Sequence, residues 1–321
     1  MKHHETTEKR RSADAVLGEV AAGQHGLVTT QQARRAGLSR DQIRYRVASE
    51  RWMAVAVGVY RLAGVPTTWR QAAMAACLAT PDSAASHLTA AALAGLTVPR
   101  PPIPHVTVER GRSGRSPLAV VHTARRGTGR LVRFSGVPST TVGRALVDCA
   151  AMLGPTRLQR LVDEAMHRNL LRPEELDALW DDVRRAPGRR GEGKMRLATE
   201  AWAGPIKPGS PAEARLRRQL VEWGFPSPEA QIPVHGPGGE VIARLDLGWP
   251  NRRLGLEYDG VEWHGPARWG ADEDRHAAIE RTGWRLLHVD KADLQPGARR
   301  FRLELERRWG EVRGPAPRWS R

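Results

Sequence analysis

The stretch RLDLGWPNRRLGLEYDGVEWH, residues 244–264, constrains this chain most, because it sets carboxylates inside segments that otherwise read as sheet. Two apolar runs, 242–249 and 254–258, flank Pro250-Asn251-Arg252-Arg253, where proline and asparagine favour a turn. A hairpin is predicted. Side chains alternate along a strand, so Arg244, Asp246 and Gly248 are expected on one face and Leu245 and Leu247 on the other. In the second run Glu257 and Asp259 share a face, about 7 Å apart at two strand rises, with Leu254, Leu256 and Tyr258 opposite. Three carboxylates then converge. Like charges that close, in a partly dry site, raise one another's pKa and destabilise the fold unless a cation lies between them. Carboxylate oxygens suit Mg2+ or Mn2+, and no cysteine cluster or paired-histidine spacing nearby points to zinc. A solvated polar sheet face is the alternative, although acids are depleted from strands.

Asp246, then Glu257-Tyr258-Asp259-Gly260, then His264, preceded by the helix start Ser210-Pro211-Ala212-Glu213, resemble the very-short-patch-repair-like branch of the PD-(D/E)XK nucleases over about residues 210–294. The resemblance implies a restriction-endonuclease-like αβββαβ core and hydrolysis of a nucleic-acid phosphodiester. It also implies Mg2+ (or Mn2+) held by Asp246 and Glu257, with Glu213 completing the acidic cluster and His264 activating or positioning water. Asp259 stands where the motif usually carries lysine, so the developing negative charge needs another donor; Arg244, Arg268 and Arg275 are the nearby candidates. Plainer readings stand beside these. Ser210 and Glu213 also spell a capping box, a lone loop histidine is commonly structural, and charges on the helical stretch 269–282, Arg275 included, commonly face water.

The formal charge of +16 is unevenly spread, with +13 on residues 1–200 and +3 on the remainder. The basic excess lies outside the nuclease-like stretch and favours polyanion partners such as DNA. Only five of the 51 basic residues are lysine, so part of the excess reflects a coding bias toward arginine. No apolar run is long enough to span a bilayer and the opening MKHHETTEKRRS has no signal-peptide core, which predicts a cytoplasmic protein with no membrane partner. Cys77 and Cys149, far apart in apolar helical surroundings, are expected to be reduced buried thiols.

From the start, residues 1–11 are a polar lead-in. Helices are predicted over 12–22, 31–36 and 40–51, the last two capped by Thr29 or Thr30 and by Ser39, with Gly37 in the turn between them. The third helix puts Ile43 and Val47 on one face and leaves Arg40, Gln42 and Arg44 to read base edges or clamp phosphate. WMAVAVGVYRL, 52–62, reads as a β wing. This arrangement resembles the winged-helix N-terminal domain of AbiEi-family antitoxins over about residues 12–64, which implies DNA binding and a cognate toxin as partner. A small helical domain that packs against protein is the alternative. Two alanine-rich helices, 69–79 and 86–94, open the middle region, and the phrase 86–96 is also similar to antitoxin-like proteins; His87, with no evident partner, reads as structural. Three short strands, 105–108, 118–122 and 131–134, and helices at 140–152, 156–169 and 173–182 follow. Eight arginines against one acid between 100 and 133 could straddle a phosphate backbone or simply face solvent.

The chain is thus expected to be an α+β multidomain protein: winged helix-turn-helix (12–64), mixed α/β middle domain (65–186), linker with a short helix (187–209), nuclease-like domain (210–310) and tail (311–321). Two functions fit. One is a DNA-binding protein with a metal-dependent endonuclease domain; the other is an AbiEi-type antitoxin or transcriptional repressor whose nuclease fold is inactive.

Overall fold

A computed structural model describes residues 12–109, 116–124, 129–172, 175, 191–202, 208–259, 269–295 and 297–311. It separates into two compact units, Met1–Leu153 with Asp177–Glu192, and Gly154–Leu176 with Gly193–Arg321. The architecture is mixed α/β with three sheets.

The first unit begins with α1 (Ala13–Gly23), β1 (Leu27–Thr29), α2 (Thr30–Arg35), α3 (Arg40–Ala48), β2 (Trp52–Ala56) and β3 (Val59–Leu62). Local chemistry explains the helix starts. Thr29 with Gln32 and Ser39 with Gln42 form reciprocal capping boxes, each satisfying two backbone N–H groups that a helix end otherwise leaves unpaired. Leu17, Ala21, Val28, Ala33, Leu38, Ile43 and Trp52 make the core of this segment. The β2–β3 hairpin turns through Gly58 at φ 73°, a backbone setting that favours glycine. β1 adds a third strand, in the order β1-β3-β2, because the three residues before α2 are extended and pair with β3. α3 stops at Ala48, three residues short of the predicted end, where Glu50 turns left-handed at φ 56°.

The same unit continues through α4 (Trp69–Ala79), β4 (Ala84–Ala85), α5 (His87–Leu93), β5 (His105–Glu109), β6 (Val120–Ala124), β7 (Leu131–Phe134), β8 (Val137–Thr140) and α6 (Val142–Ala150). Its five-stranded sheet runs β6-β5-β4-β8-β7. β4 and β8 were missed in the sequence, the first being two residues long and the second carrying a proline. Leu27 and Val59 share a core with Ala73, Met74, Ala76, Val106 and Val137, and the Gln71 amide donates to the His25 carbonyl at 2.7 Å. Apolar packing therefore runs across the expected boundary at 64/65. Cys77 and Cys149 are free, buried thiols whose pKa burial pushes up to about 12.

The second unit holds α7 (Pro155–His167), α8 (Glu192–Glu200, from Gly193 on), α9 (Pro211–Glu222), β9 (Glu229–His235), β10 (Val241–Trp249), β11 (Leu254–Tyr258), α10 (Trp269–Arg281), β12 (Arg285–Val289) and α11 (Arg299–Glu311). Its sheet is ordered β12-β11-β10-β9, antiparallel except for the parallel β11–β12 pair. α7, expected in the middle domain, belongs here: buried Asp163 is ion-paired with Arg218 of α9 and accepts from the Trp202 indole at 2.8 Å. The predicted helix 173–182 lies almost wholly outside the described residues, as do His264, Arg268 and the tail beyond 311.

Between β10 and β11, residues 250–252 form one 3-10 turn and Arg253 is left-handed at φ 49°. The strict alternation predicted for β10 fails at Asp246. Leu245 packs with Ile232, Val234 and Ile279, whereas Leu247 packs with Leu216, Leu220, Leu254 and Leu256. On the neighbouring strand Gln231, between the partners of the two leucines, has φ 52°, and a left-handed residue there interrupts the two-residue repeat.

Candidate metal centre and nucleic-acid interface

Asp246, Glu257 and Glu213 arrive from three elements. The β10–β11 pairing runs from Trp249 opposite Leu254 to Leu247 opposite Leu256, and just beyond it an Asp246 carboxylate oxygen accepts from the Tyr258 backbone N–H at 2.9 Å. Glu213 comes from the first turn of α9, whose N-cap Ser210 accepts from the Glu213 N–H at 3.2 Å. The Glu213 carboxylate does not return to the cap. It accepts from the Gly209 N–H at 2.7 Å and from the Gln231 amide at 2.9 Å, so half of the predicted capping box forms and the acid is turned toward the sheet. Glu213 and Glu257 are only 6% and 8% exposed, a burial acids rarely accept without compensation.

The consequence falls on Asp246. Desolvation raises its pKa to about 6, the Tyr258 N–H opposes that rise, and the charges of Glu213 and Glu257 add to it. The compensation for Glu257 is Arg275 of α10, whose two terminal nitrogens reach the carboxylate at 2.5 and 3.2 Å. Arg275, expected to clamp phosphate, therefore neutralises an acid of the cluster. Asp259 does not join the three acids; exposed, it accepts from or faces His288 Nδ1 at 3.1 Å. Arg244 is exposed on β10.

Two histidines that the sequence did not single out complete the surroundings. The parallel β11–β12 register pairs Glu257 with His288, and His276 Nε2 stands 3.9 Å from the Glu257 carboxylate. Ligand atoms of Glu257, His276 and His288 all lie within 4.8 Å of one another. The absence of paired-histidine spacing was thus a statement about sequence only, because a helix and a parallel strand bring the two rings together. A signal did exist: His288 breaks the apolar pattern of RLLHV as Glu257 breaks that of LGLEY. Glu257, His276 and His288 are the donors here whose ligand atoms converge, one oxygen and two imidazoles that suit a divalent ion, while Glu213 and Glu257 act on Asp246 as nearby negative charges.

In the first unit, α3 exposes Arg40 and Arg44, the latter 2.8 Å from Asp41, together with Tyr45 at 65% exposure; α2 adds exposed Arg34 and Arg35. Gln42 is engaged locally. Its side-chain oxygen accepts from the Ser39 N–H at 2.8 Å, so it serves the cap. Arg46 is likewise committed, bonding Asp14 of α1 at 2.9 Å and holding α3 against that helix.

Residues 17–63 match the family described as "Transcriptional regulator, AbiEi antitoxin", so the chain carries an AbiEi antitoxin-like transcriptional-regulator segment near its N-terminal end. That match ends before the second unit and leaves the nuclease-like expectation for 210–310 without support from it. Two curated proteins of Mycobacterium tuberculosis, the uncharacterized proteins MT2308 and Rv2248, are each 34% identical over 183 residues. The alignment spans 56% of this chain and 65% of theirs. A solved structure, the RV2827C protein from Mycobacterium tuberculosis, aligns over 71% of this chain and 89% of its own at 15% identity, with a TM-score of 0.36, too low to define a shared fold. Among the described residues no helix is long and apolar enough to cross a membrane.

Proposed function

We propose that this chain is a DNA-binding protein that pairs a winged helix-turn-helix of the AbiEi regulator type with a metal-dependent phosphodiester-hydrolysing unit. The placing of Glu213, Asp246 and Glu257 on a helix and two strands, with Asp246 lifted to about pKa 6 first by burial and then by the charges of the other two, carries the catalytic half. The order helix, three strands, helix, strand of α9 to β12 supports it, being the order that the sequence resemblance implies. The regulator match over 17–63 and the exposed Arg40 and Arg44 on α3 support the DNA-binding half.

In this reading Asp246 and Glu257 hold Mg2+ or Mn2+, and a bound ion supplies charge neutralisation and a more acidic water. Glu213, fixed by Gly209 and Gln231, would complete the acidic cluster around such an ion. Arg275, paired with Glu257, is the cation that would be available to a phosphate oxygen. The Asp259–His288 contact orients the imidazole and leaves Nε2 to hold or move a proton, a task for which the motif lysine is lacking. His264, outside the described residues, is assigned to water positioning on the sequence resemblance alone.

The test is relaxation of supercoiled plasmid by purified full-length protein with Mg2+ or Mn2+. Wild type is expected to nick, and Asp246→Asn and Glu257→Gln to lose at least about a hundredfold in rate, as removal of a metal-held group does. Equal nicking by all three overturns the assignment. A second reading, a repressor or antitoxin with an inactive nuclease fold and a cognate toxin as partner, is favoured by one observation: Glu257 is already satisfied by Arg275. It requires sequence-specific operator binding by the full chain with no cleavage by any variant.

A further inference from the structure

Three histidines far apart in sequence meet in the first unit, away from the acidic cluster. His87 begins α5, His105 begins β5 and His122 lies in β6. The parallel β5–β6 register sets His122 opposite Thr107, one side-chain repeat from His105 on the same face. His105 Nδ1 and His122 Nε2 are 2.8 Å apart, and the His87 ring stacks on that of His122 with centroids 3.7 Å apart. Ligand atoms of all three lie within 4.8 Å of one another. The backbone is bent to this end. His87 is left-handed at φ 51°, a setting a branching side chain disfavours, and Ser86 makes no side-chain cap bond to α5 but instead lies 2.9 Å from His87 Nδ1. The Thr89 hydroxyl accepts from the His105 N–H at 2.7 Å and the Ser86 N–H donates to the His105 carbonyl, so α5 and β5 are locked in register around the rings.

We propose that His87, His105 and His122 form a zinc-class metal site that pins the start of α5 to the β5–β6 edge of the sheet. Imidazole nitrogen is the donor that zinc shares with its neighbours in the first transition row, and three histidines with one open position make a recurrent zinc set. A Zn–N distance of about 2.0–2.1 Å places tetrahedral ligand nitrogens about 3.3 Å apart. The His105–His122 pair, at 2.8 Å, has to open by roughly half an ångström to admit the ion. The His87 ring, half-buried, turns out of its stack to supply the third nitrogen. Buried Asp148, held by Arg144 at 3.0 Å, is close enough to act electrostatically on His122 and brings negative charge to the site.

The experiment uses full-length protein purified without a histidine tag, stripped with EDTA, desalted, incubated with Zn2+ and passed through gel filtration before metal analysis. Wild type is expected to retain zinc. His87→Ala and His122→Asn are expected to retain one equivalent less, with affinity down roughly a hundredfold or more, since removing an outer partner alone costs about 10–100-fold. His167→Ala, an exposed histidine of the other unit, is expected to keep that equivalent, which separates this site from adventitious binding by surface histidines. Zinc content equal in wild type, His87→Ala and His122→Asn overturns the proposal, and so does folded wild type that retains none. Should His122→Asn alter the far-UV circular dichroism, the half-buried His87→Ala decides.

Discussion

Replacing Asp246 by asparagine should make the protein more stable, and the reason lies in its neighbours. Folding moves the Asp246 carboxyl from an ordinary 3.8 to about 6, through burial and the nearby charges of Glu213 and Glu257. A shift of about two units corresponds to roughly 3 kcal/mol at most. Asp246 is only half-buried, so solvent screens part of that and about 1–2 kcal/mol remains. The sign follows from proton binding. Between pH 3.8 and 6 the folded state holds the proton more tightly than the unfolded state, so the destabilisation is fully developed above about pH 6 and disappears below about 3.8. Asparagine keeps an oxygen to accept from the Tyr258 N–H and carries no charge. Urea unfolding of the full chain in EDTA, followed by tryptophan fluorescence, should show Asp246→Asn more stable by about 1–2 kcal/mol at pH 7.5 and matching wild type near pH 4. Adding Mg2+ should narrow the gap by stabilising wild type alone. A variant less stable than wild type at pH 7.5 in EDTA, or a difference that ignores pH between 4 and 8, would refute the crowding argument.

Other outcomes follow from the same coordinates. Arg218→Ala should cost about 3–5 kcal/mol, because it leaves the buried Asp163 carboxylate with the Trp202 N–H and no paired cation; urea unfolding reads it, and a loss under 1 kcal/mol would contradict it. Arg40→Ala with Arg44→Ala should weaken DNA binding and lower the slope of log affinity against log salt by about 1–2, measured by fluorescence anisotropy; an unchanged slope would remove α3 from the interface.

Much of the local structure was legible. Ser39 and Gln42, or Thr29 and Gln32, are three residues apart and cap a helix by contacts within one turn, so their pattern names the helix start. The same short range engages the Gln42 amide oxygen, which accepts from the Ser39 N–H three residues away. The β10–β11 hairpin was legible for the same reason, since a short turn sets which residues of the two strands face each other, from Trp249 opposite Leu254 to Leu247 opposite Leu256.

Contacts set by distant segments were not legible. Nothing in RLLHV announces that it pairs in parallel with LGLEY, because the crossover between them runs through a separate helix; that pairing alone sets His288 beside Glu257. The break in alternation at Asp246 depends on a left-handed Gln231 one strand away. α7 falls in the second unit, where its buried Asp163 pairs with Arg218 of α9, a contact between residues 55 apart that no local pattern announces. His87, taken from sequence as an isolated structural histidine, meets two others only after β5 and β6 align. Sequence alone determined where helices cap and chains turn, since those interactions span a few residues; the tertiary structure decided which charges and rings meet, since that depends on strand order and on burial that only the assembled sheet provides.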